Sequence, residues 1–289
     1  MKIIELQIDE EHDGKEIKTL LLNELKLSQR LITKLKKGDG IKLNSKKETV
    51  RKTVSKGDIL TITIYDEASE NIVPNNIPLS IIYEDDEILA VNKPHNMPTH
   101  PSINHYENTL ANAVMYYFKD KQFTFRAINR LDRDTTGIVL IAKNAYSANE
   151  LSKQLREKEI KKTYLAICNG KLPEAYGVIE APISRESKSV IKRSVSPDGQ
   201  YAKTEYEVLK HENGYSLVKV FPKTGRTHQI RVHFAYVGNP LYSDFIYGQE
   251  IENERTRLHC SSLEFLHPVT KEKITLNAPC PDDFFIKDK

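Results

Sequence analysis

The sequence predicts an α+β protein: a mixed, largely antiparallel sheet with flanking helices, preceded by a small basic α/β module. Three observations lead there. Segments with strand character outnumber helical ones and often follow one another directly, which argues against βαβ repeats. Positive charge is concentrated at one end. Residues 26–56 hold eleven Lys or Arg against two acids, a charge of +9, while the whole chain carries +3 and the remainder therefore −6. Between the two regions, residues 67–78 (EASENIVPNNIP) are polar, contain two prolines and show no periodicity, as a linker does. The division expected is 1–66, a linker at 67–78, and a larger domain at 79–289.

The elements follow in order. SQRLITKLKK (28–37) reads as a helix with Ser28 as N-cap and Gly38 as its stop. Leu31, Ile32 and Leu35 fall on one side, and Arg30, Lys34 and Lys37 form a basic stripe on another. Short strands are expected at GIKLN, around Val50 to Val54, and at DILTITIY after the Lys56-Gly57-Asp58 turn. LSIIYEDDEILAVNKP reads as two strands around an acidic turn, and TLANAVMYYF as a helix. The buried strand GIVLIAK is followed by a helix capped by Asn144 and by the strand KKTYLAIC. AKTEYEVLKH and YSLVKVF flank a turn at Glu212-Asn213-Gly214. THQIRVHFAYVG reads as a helix with Thr227 as cap and Gly238 as stop, and the segment from Arg257 to Ala278 as a hairpin.

Composition excludes several classes. With 39% hydrophobic and 29% charged residues the chain is of the soluble globular kind, long enough for one large domain or two smaller ones. No apolar run approaches the roughly 18 residues of a membrane span. The first residues turn acidic at once and offer no signal-peptide core. Cys168, Cys260 and Cys280 match neither zinc nor redox spacing and point to a reducing compartment, so a cytoplasmic protein is expected.

RLDRDTTG (130–137) carries the densest charge beside an apolar strand. Asp132 is expected in a turn, partly buried at a sheet edge. Cations nearby would keep such a carboxylate ionised, as a nucleophile or general base; the alternative is a structural ion pair. KTGRTHQIR gathers Lys223, Arg226, His228 and Arg231 around a helix start, a place for a phosphate or for the Asp132 carboxylate. Tyr164 could stack on a base and present its hydroxyl in a dry pocket, or simply pack in the core. No phosphate-binding glycine loop, nucleophile elbow or HExxH zinc motif is present. His100 with His105, and His259 with Cys260, lack metal-ligand spacing.

The stretch from Leu21 to Ile62 resembles the S4 RNA-binding domain, which implies that the stripe Arg30, Lys34, Lys37 and the Lys46–Lys56 region meet phosphates. VNKPHNMPTHPS, RLDRDTTGIVLIAK, KKTYLAIC, TGRTHQIRVHFAYVGNPLYSD and LHCSSLEFLHPVTKE, in that order, closely resemble the RluA-type pseudouridine synthases over residues 79–280. This implies the pseudouridine synthase fold and isomerisation of uridine in structured RNA, ribosomal or transfer. No cofactor, small molecule, metal or membrane is implied, and a monomer is expected. By the same resemblance Asp132 is the essential carboxylate and Tyr164 lies against the target base. Arg231 pairs with Asp132 and keeps it charged, and Arg130 helps expel the uridine. Arg226 and His228 are assigned to RNA binding. Asn129 and Thr136 stand where the family usually has His and Ser. Two rivals are an inactive RNA-binding protein of the same fold and a metal-dependent nuclease using Asp132, Asp134 and Asp244.

Overall fold

The computed structural model describes residues 2–65, 71–102, 106–187, 189 and 191–286. The N-terminal part is built from β1 (Lys2–Gln7), α1 (Ile17–Asn23), α2 (Gln29–Lys37), β2 (Ile41–Leu43), β3 (Lys46–Lys47) and β4 (Ile59–Ile64). Its sheet is antiparallel in the order β1-β4-β2-β3. Ser28 caps α2 as expected, its Oγ accepting from the Leu31 N–H at 3.3 Å, and Gly38 ends the helix. Leu31, Ile32 and Leu35 are buried against Leu20, Leu21, Leu60 and Ile62, while Arg30, Lys34 and Lys37 are exposed. This is how an amphipathic helix settles on a small sheet.

The strand expected around Val50 to Val54 is absent. That segment makes a turn with one bridge, Glu16 to Thr53. The reason lies in α1, which has no side-chain cap. The carbonyls of Lys52 and Val50 accept from the Ile17 and Lys18 N–H groups at 2.9 and 2.8 Å, supplying partners to donors that a helix start leaves open.

The larger part contains β5 (Ile81–Glu84), β6 (Ile88–Lys93), α3 (Leu110–Tyr117), β7 (Thr136–Ala142), α4 (Ala145–Arg156), β8 (Lys161–Asn169), β9 (Tyr176–Glu180), β10 (Ile183–Arg185), β11 (Arg193–Val195), β12 (Lys203–Glu212), β13 (Tyr215–Pro222), α5 (Gln229–Tyr236), β14 (Leu258–Leu266) and β15 (Lys273–Asn277). One nine-stranded sheet runs β5-β6-β7-β14-β8-β13-β12-β9, with β15 also on β14. Every pairing in it is antiparallel except β7 with β14, which is parallel and limited to His259 with Thr136 and Cys260 with Gly137. The expected mixed, largely antiparallel sheet is therefore present. A β-carbon on Gly137, at φ 109°, would lie 2.2 Å from the Cys260 carbonyl oxygen, so this close junction requires glycine.

All seven residues of β7 are buried, because helices and strands cover both faces. Asp132 thus precedes a central strand rather than lying at a sheet edge. Asn144 caps α4 as expected, accepting from the Ser147 N–H. Thr227 does not cap α5. The cap position is His228, in the left-handed region at φ 57°. Gln229 closes the loop instead: its Oε1 accepts from Thr224 Oγ1 at 2.7 Å and from the Arg226 N–H at 3.0 Å.

The two parts touch. Lys2 Nζ meets Glu87 at 2.6 Å. The Asn149 side chain accepts from the Ser28 N–H and donates to the Lys26 carbonyl. Ala145 and Tyr146 of α4 pack on the N-terminal core. Residues 67–70 of the expected linker, with Asp66 before it, lie outside the described residues. Its remainder is fastened to α3, Asn112 Nδ2 donating to the Val73 carbonyl at 2.7 Å. Among the described residues no helix is long and apolar enough to cross a membrane.

Candidate active site

Asp132 stands in the turn that feeds β7, and the surrounding structure fixes that turn from three sides. Asn129 Nδ2 donates to the Ile138 carbonyl at 2.9 Å, and its Oδ1 accepts from the Leu140 N–H at 2.8 Å. Thr99 Oγ1 donates to the Leu131 carbonyl. Below, the fully buried Lys93 at the end of β6 donates from Nζ to the carbonyls of Pro94, Met97 and Arg133 at 2.8, 2.8 and 3.1 Å. Burial draws the Lys93 ammonium down to about 7, against the favourable charges of Asp134 and Asp132. Thr136 Oγ1 lies 2.8 Å from His259 Nδ1, tying the same turn to β14. Asn129 and Thr136 therefore act on the ordering of the loop.

Arg231, on α5, comes from the far side of the sheet junction. It is 4% exposed. Its Nε and Nη2 donate to Asp244 at 2.7 and 2.6 Å, and its Nη1 lies 3.6 Å from Asp132 Oδ2. The pairing with Asp132 is present, but the close partner is Asp244, which is wholly buried. Burial opposes the charge on Arg231; the Asp244 bonds and charge outweigh it and raise its pKa. Asp244 Oδ1 also accepts from the backbone N–H groups of Ile246 and Tyr247, which locks the 244–248 turn. The rings of Tyr247 and Phe245 lie 5.2 and 5.6 Å from the Arg231 guanidinium carbon.

His228 reaches the same place through its left-handed backbone. Its Nε2 is 4.0 Å from Asp132 Oδ2, and its Nδ1 bonds the Tyr247 hydroxyl at 2.8 Å. Burial lowers its pKa, with the Asp132 charge acting in the other direction. Tyr164 on β8 is 8% exposed. Burial, reinforced by the thiol of Cys260 and the charge of Asp132, holds its phenol well above the ordinary tyrosine range, so it keeps its proton. Burial also pushes the Cys260 thiol up to about 12.

The structure thus brings together Asp132, Arg231, His228 and Tyr164. Arg130 is exposed beside this group, near enough to His100 to depress the histidine's pKa further after burial. Arg226 is exposed and donates to the Tyr201 carbonyl, 3.0 Å away. Arg30, Lys34 and Lys37 belong to the separate surface of α2. His105 lies outside the described residues, and His100 meets Phe125 edge-on at 5.2 Å. The three acids of the nuclease alternative have separate tasks: Asp134 accepts from Arg133 and Asp244 from Arg231. Among the described residues no three His, Cys, Asp or Glu side chains are grouped to hold a metal. Sequence reading missed Lys93 and the true role of Asp244. The signal for Asp244 was available only as its position in NPLYSD.

What this arrangement offers is one accessible carboxylate, a protonated phenol, and a guanidinium held in place by a second acid. The comparisons agree with it. The RNA pseudouridylate synthase family matches residues 87–236. The chain is 38% identical over 267 residues to YjbO, an uncharacterised RNA pseudouridine synthase of Bacillus subtilis (strain 168), covering 90% of this chain and 94% of that one. It is also 38% identical over 259 residues to ribosomal large subunit pseudouridine synthase D of Blochmanniella floridana, covering 81% and 80%. Human RNA pseudouridylate synthase domain containing 1 superposes with a TM-score of 0.61 at 28% identity, over 72% of this chain and 85% of that one. With the ordered motifs, the sheet and the site in agreement, the chain belongs to the RluA-type family of RNA pseudouridine synthases.

Proposed function

We propose that this protein isomerises uridine to pseudouridine in folded ribosomal RNA, with Asp132 as the essential carboxylate. One observation carries the assignment of Asp132. Its neighbours Asp134 and Asp244 are held by guanidinium groups at 3.2 Å or less. Among the described residues Asp132 has only the longer contacts to Arg231 and His228, and 29% of its side chain remains open to an incoming nucleotide. The similarity to a ribosomal large subunit synthase supports the choice of RNA.

In the reaction the N1–C1′ bond breaks, the uracil turns, and C5 joins C1′; the proton lost at C5 is matched by one gained at N1. The base must first leave its stack, at a cost of a few kcal/mol. Exposed Arg130 occupies the vacated space, since a planar guanidinium stacks where a base was. Tyr164 lies against the uracil and moves protons. Arg231, with Asp244 behind it, positions the Asp132 carboxylate. Residues 1–66 form an S4-like module whose α2 stripe meets phosphates, giving affinity with little sequence reading. The enzyme acts as a monomer in the cytoplasm.

Ribosomal and transfer RNA transcripts incubated with wild-type or Asp132→Asn protein, then analysed by mass spectrometry, test this. The expected result is pseudouridine in ribosomal RNA with the wild type, none with Asp132→Asn, and RNA affinity within about twofold of the wild type. Product from the variant removes Asp132 from its role. Product confined to transfer RNA overturns the choice of substrate.

A further inference from the structure

A cavity of about 340 Å³ opens beside the Asp132 turn, lined by residues that include His95, Asn96, Arg133, Asp134, Phe245 and Asn253. Nothing in the reaction outlined above uses it. Its chemistry is specific in one respect. Three of the four acids on its wall are neutralised, Asp134 by Arg133, Glu254 by Arg257, and Asp283 by a two-point bond from Arg255 at 2.7 and 2.8 Å, and the fourth, Glu250, is exposed. A lining whose cations are mostly engaged, with one open carboxylate besides, suits a flat, neutral ligand with a polar edge better than it suits a phosphate.

The wall also offers a stacking surface. Phe245 is 43% exposed, so its ring face is open to a ligand in the cavity. The Arg133 guanidinium carbon lies 5.5 Å from its ring centroid. The ring is rigidly presented, because Asp244 binds the backbone of Ile246 and Tyr247 and the Gly248 N–H donates to the Asp244 carbonyl at 2.8 Å. Ordering the platform therefore costs the incoming RNA little. Arg133 follows the proposed reacting carboxylate Asp132, and Phe245 follows Asp244, the anchor of Arg231.

We propose that this cavity receives the base adjacent to the target uridine, stacked on Phe245 and Arg133, and that Phe245 thereby helps select which uridine is modified. Exposed aromatic and guanidinium planes are how proteins grip unstacked RNA bases. The polar edges of Asn96 and Asn253 are placed to read that base. The inference rests on the activity proposed above, and its test separates the two.

The probe is a stem-loop copied from ribosomal RNA around whichever uridine the wild-type protein modifies, together with two copies lacking the base immediately 5′ or immediately 3′ of that uridine. If the wild type forms no pseudouridine in ribosomal RNA, the activity itself is refuted. If it does, one abasic copy should lower kcat/KM about tenfold, the effect of a single base–aromatic stack. Phe245→Ala should lose a similar factor on the intact stem-loop and none further on that abasic copy. Phe245→Trp should retain the wild-type rate, and the melting temperature of Phe245→Ala should match the wild type. Losses that multiply on the abasic copy would show that Phe245 acts only through Arg231, and would overturn the proposal. So would a Phe245→Ala enzyme as fast as the wild type on the intact stem-loop.

Discussion

Arg231 donates two hydrogen bonds to Asp244 and has only Nη1 left for Asp132, 3.6 Å away. The pair is almost wholly buried, so removing one charge leaves the other without compensation. That typically costs about 3–5 kcal/mol, whereas the intact pair contributes much less. Asp244→Asn should therefore lower the free energy of unfolding measured by urea titration by an amount in that range and reduce pseudouridine formation along with it. An Asp244→Asn protein of wild-type stability would show that the pair is not the anchor of Arg231. Asp132, Tyr164 and Arg231 were legible in the sequence because each sits inside an ordered, recognisable motif. Asp244 was not legible in its true role. A carboxylate that binds a guanidinium 13 residues earlier looks, in one dimension, like any acid available to a metal. Lys93 is harder still, since its three partners are backbone carbonyls, one of them 40 residues away.

Among the elements, α2 shows the clearest link from spacing to surface. Ser28, the buried Leu31, Ile32 and Leu35, and the exposed Arg30, Lys34 and Lys37 are all where the 3.6-residue period puts them. If the stripe meets phosphates, replacing the three cations by alanine should weaken RNA binding without changing the fold. The slope of log affinity against log salt should become shallower by about 1 for each lost contact. Fluorescence anisotropy over a salt series measures it, and an unchanged slope would move the RNA elsewhere. Other elements left weaker traces. β1 alternates only between exposed and half-buried positions, as an outer strand does. α1 has seven residues and no side-chain cap, and its start is completed by carbonyls more than 30 residues later. The α5 cap was misplaced by one residue, because a left-handed His228, without a side-chain cap bond, takes the position expected for Thr227.

For the molecule as a whole, four histidines with lowered pKa values set the acid limit of stability. His100, His228, His233 and His259 all have pKa values lowered from 6.5 by burial. Each is held neutral by the fold, so below about pH 6.5 the unfolded chain binds more protons than the folded one. Their contribution is complete above that pH and is lost as pH falls through the lowered folded values. Glu87 and Asp85, whose pKa values are depressed despite burial, add a loss of the same sign further down. Urea midpoints should accordingly decline from about pH 7 to pH 5; a flat or rising profile would contradict this. The sheet itself has a narrow waist, the parallel contact of Thr136 and Gly137 with His259 and Cys260. Asp132 enters from one side of that waist, and Tyr164 and Arg231 belong to the other. Parting the chain there divides the reacting groups between two fragments of sheet, each still paired within itself. The centre thus exists only as a joint between them, and the strictness of Gly137 is the tolerance to which that joint is made.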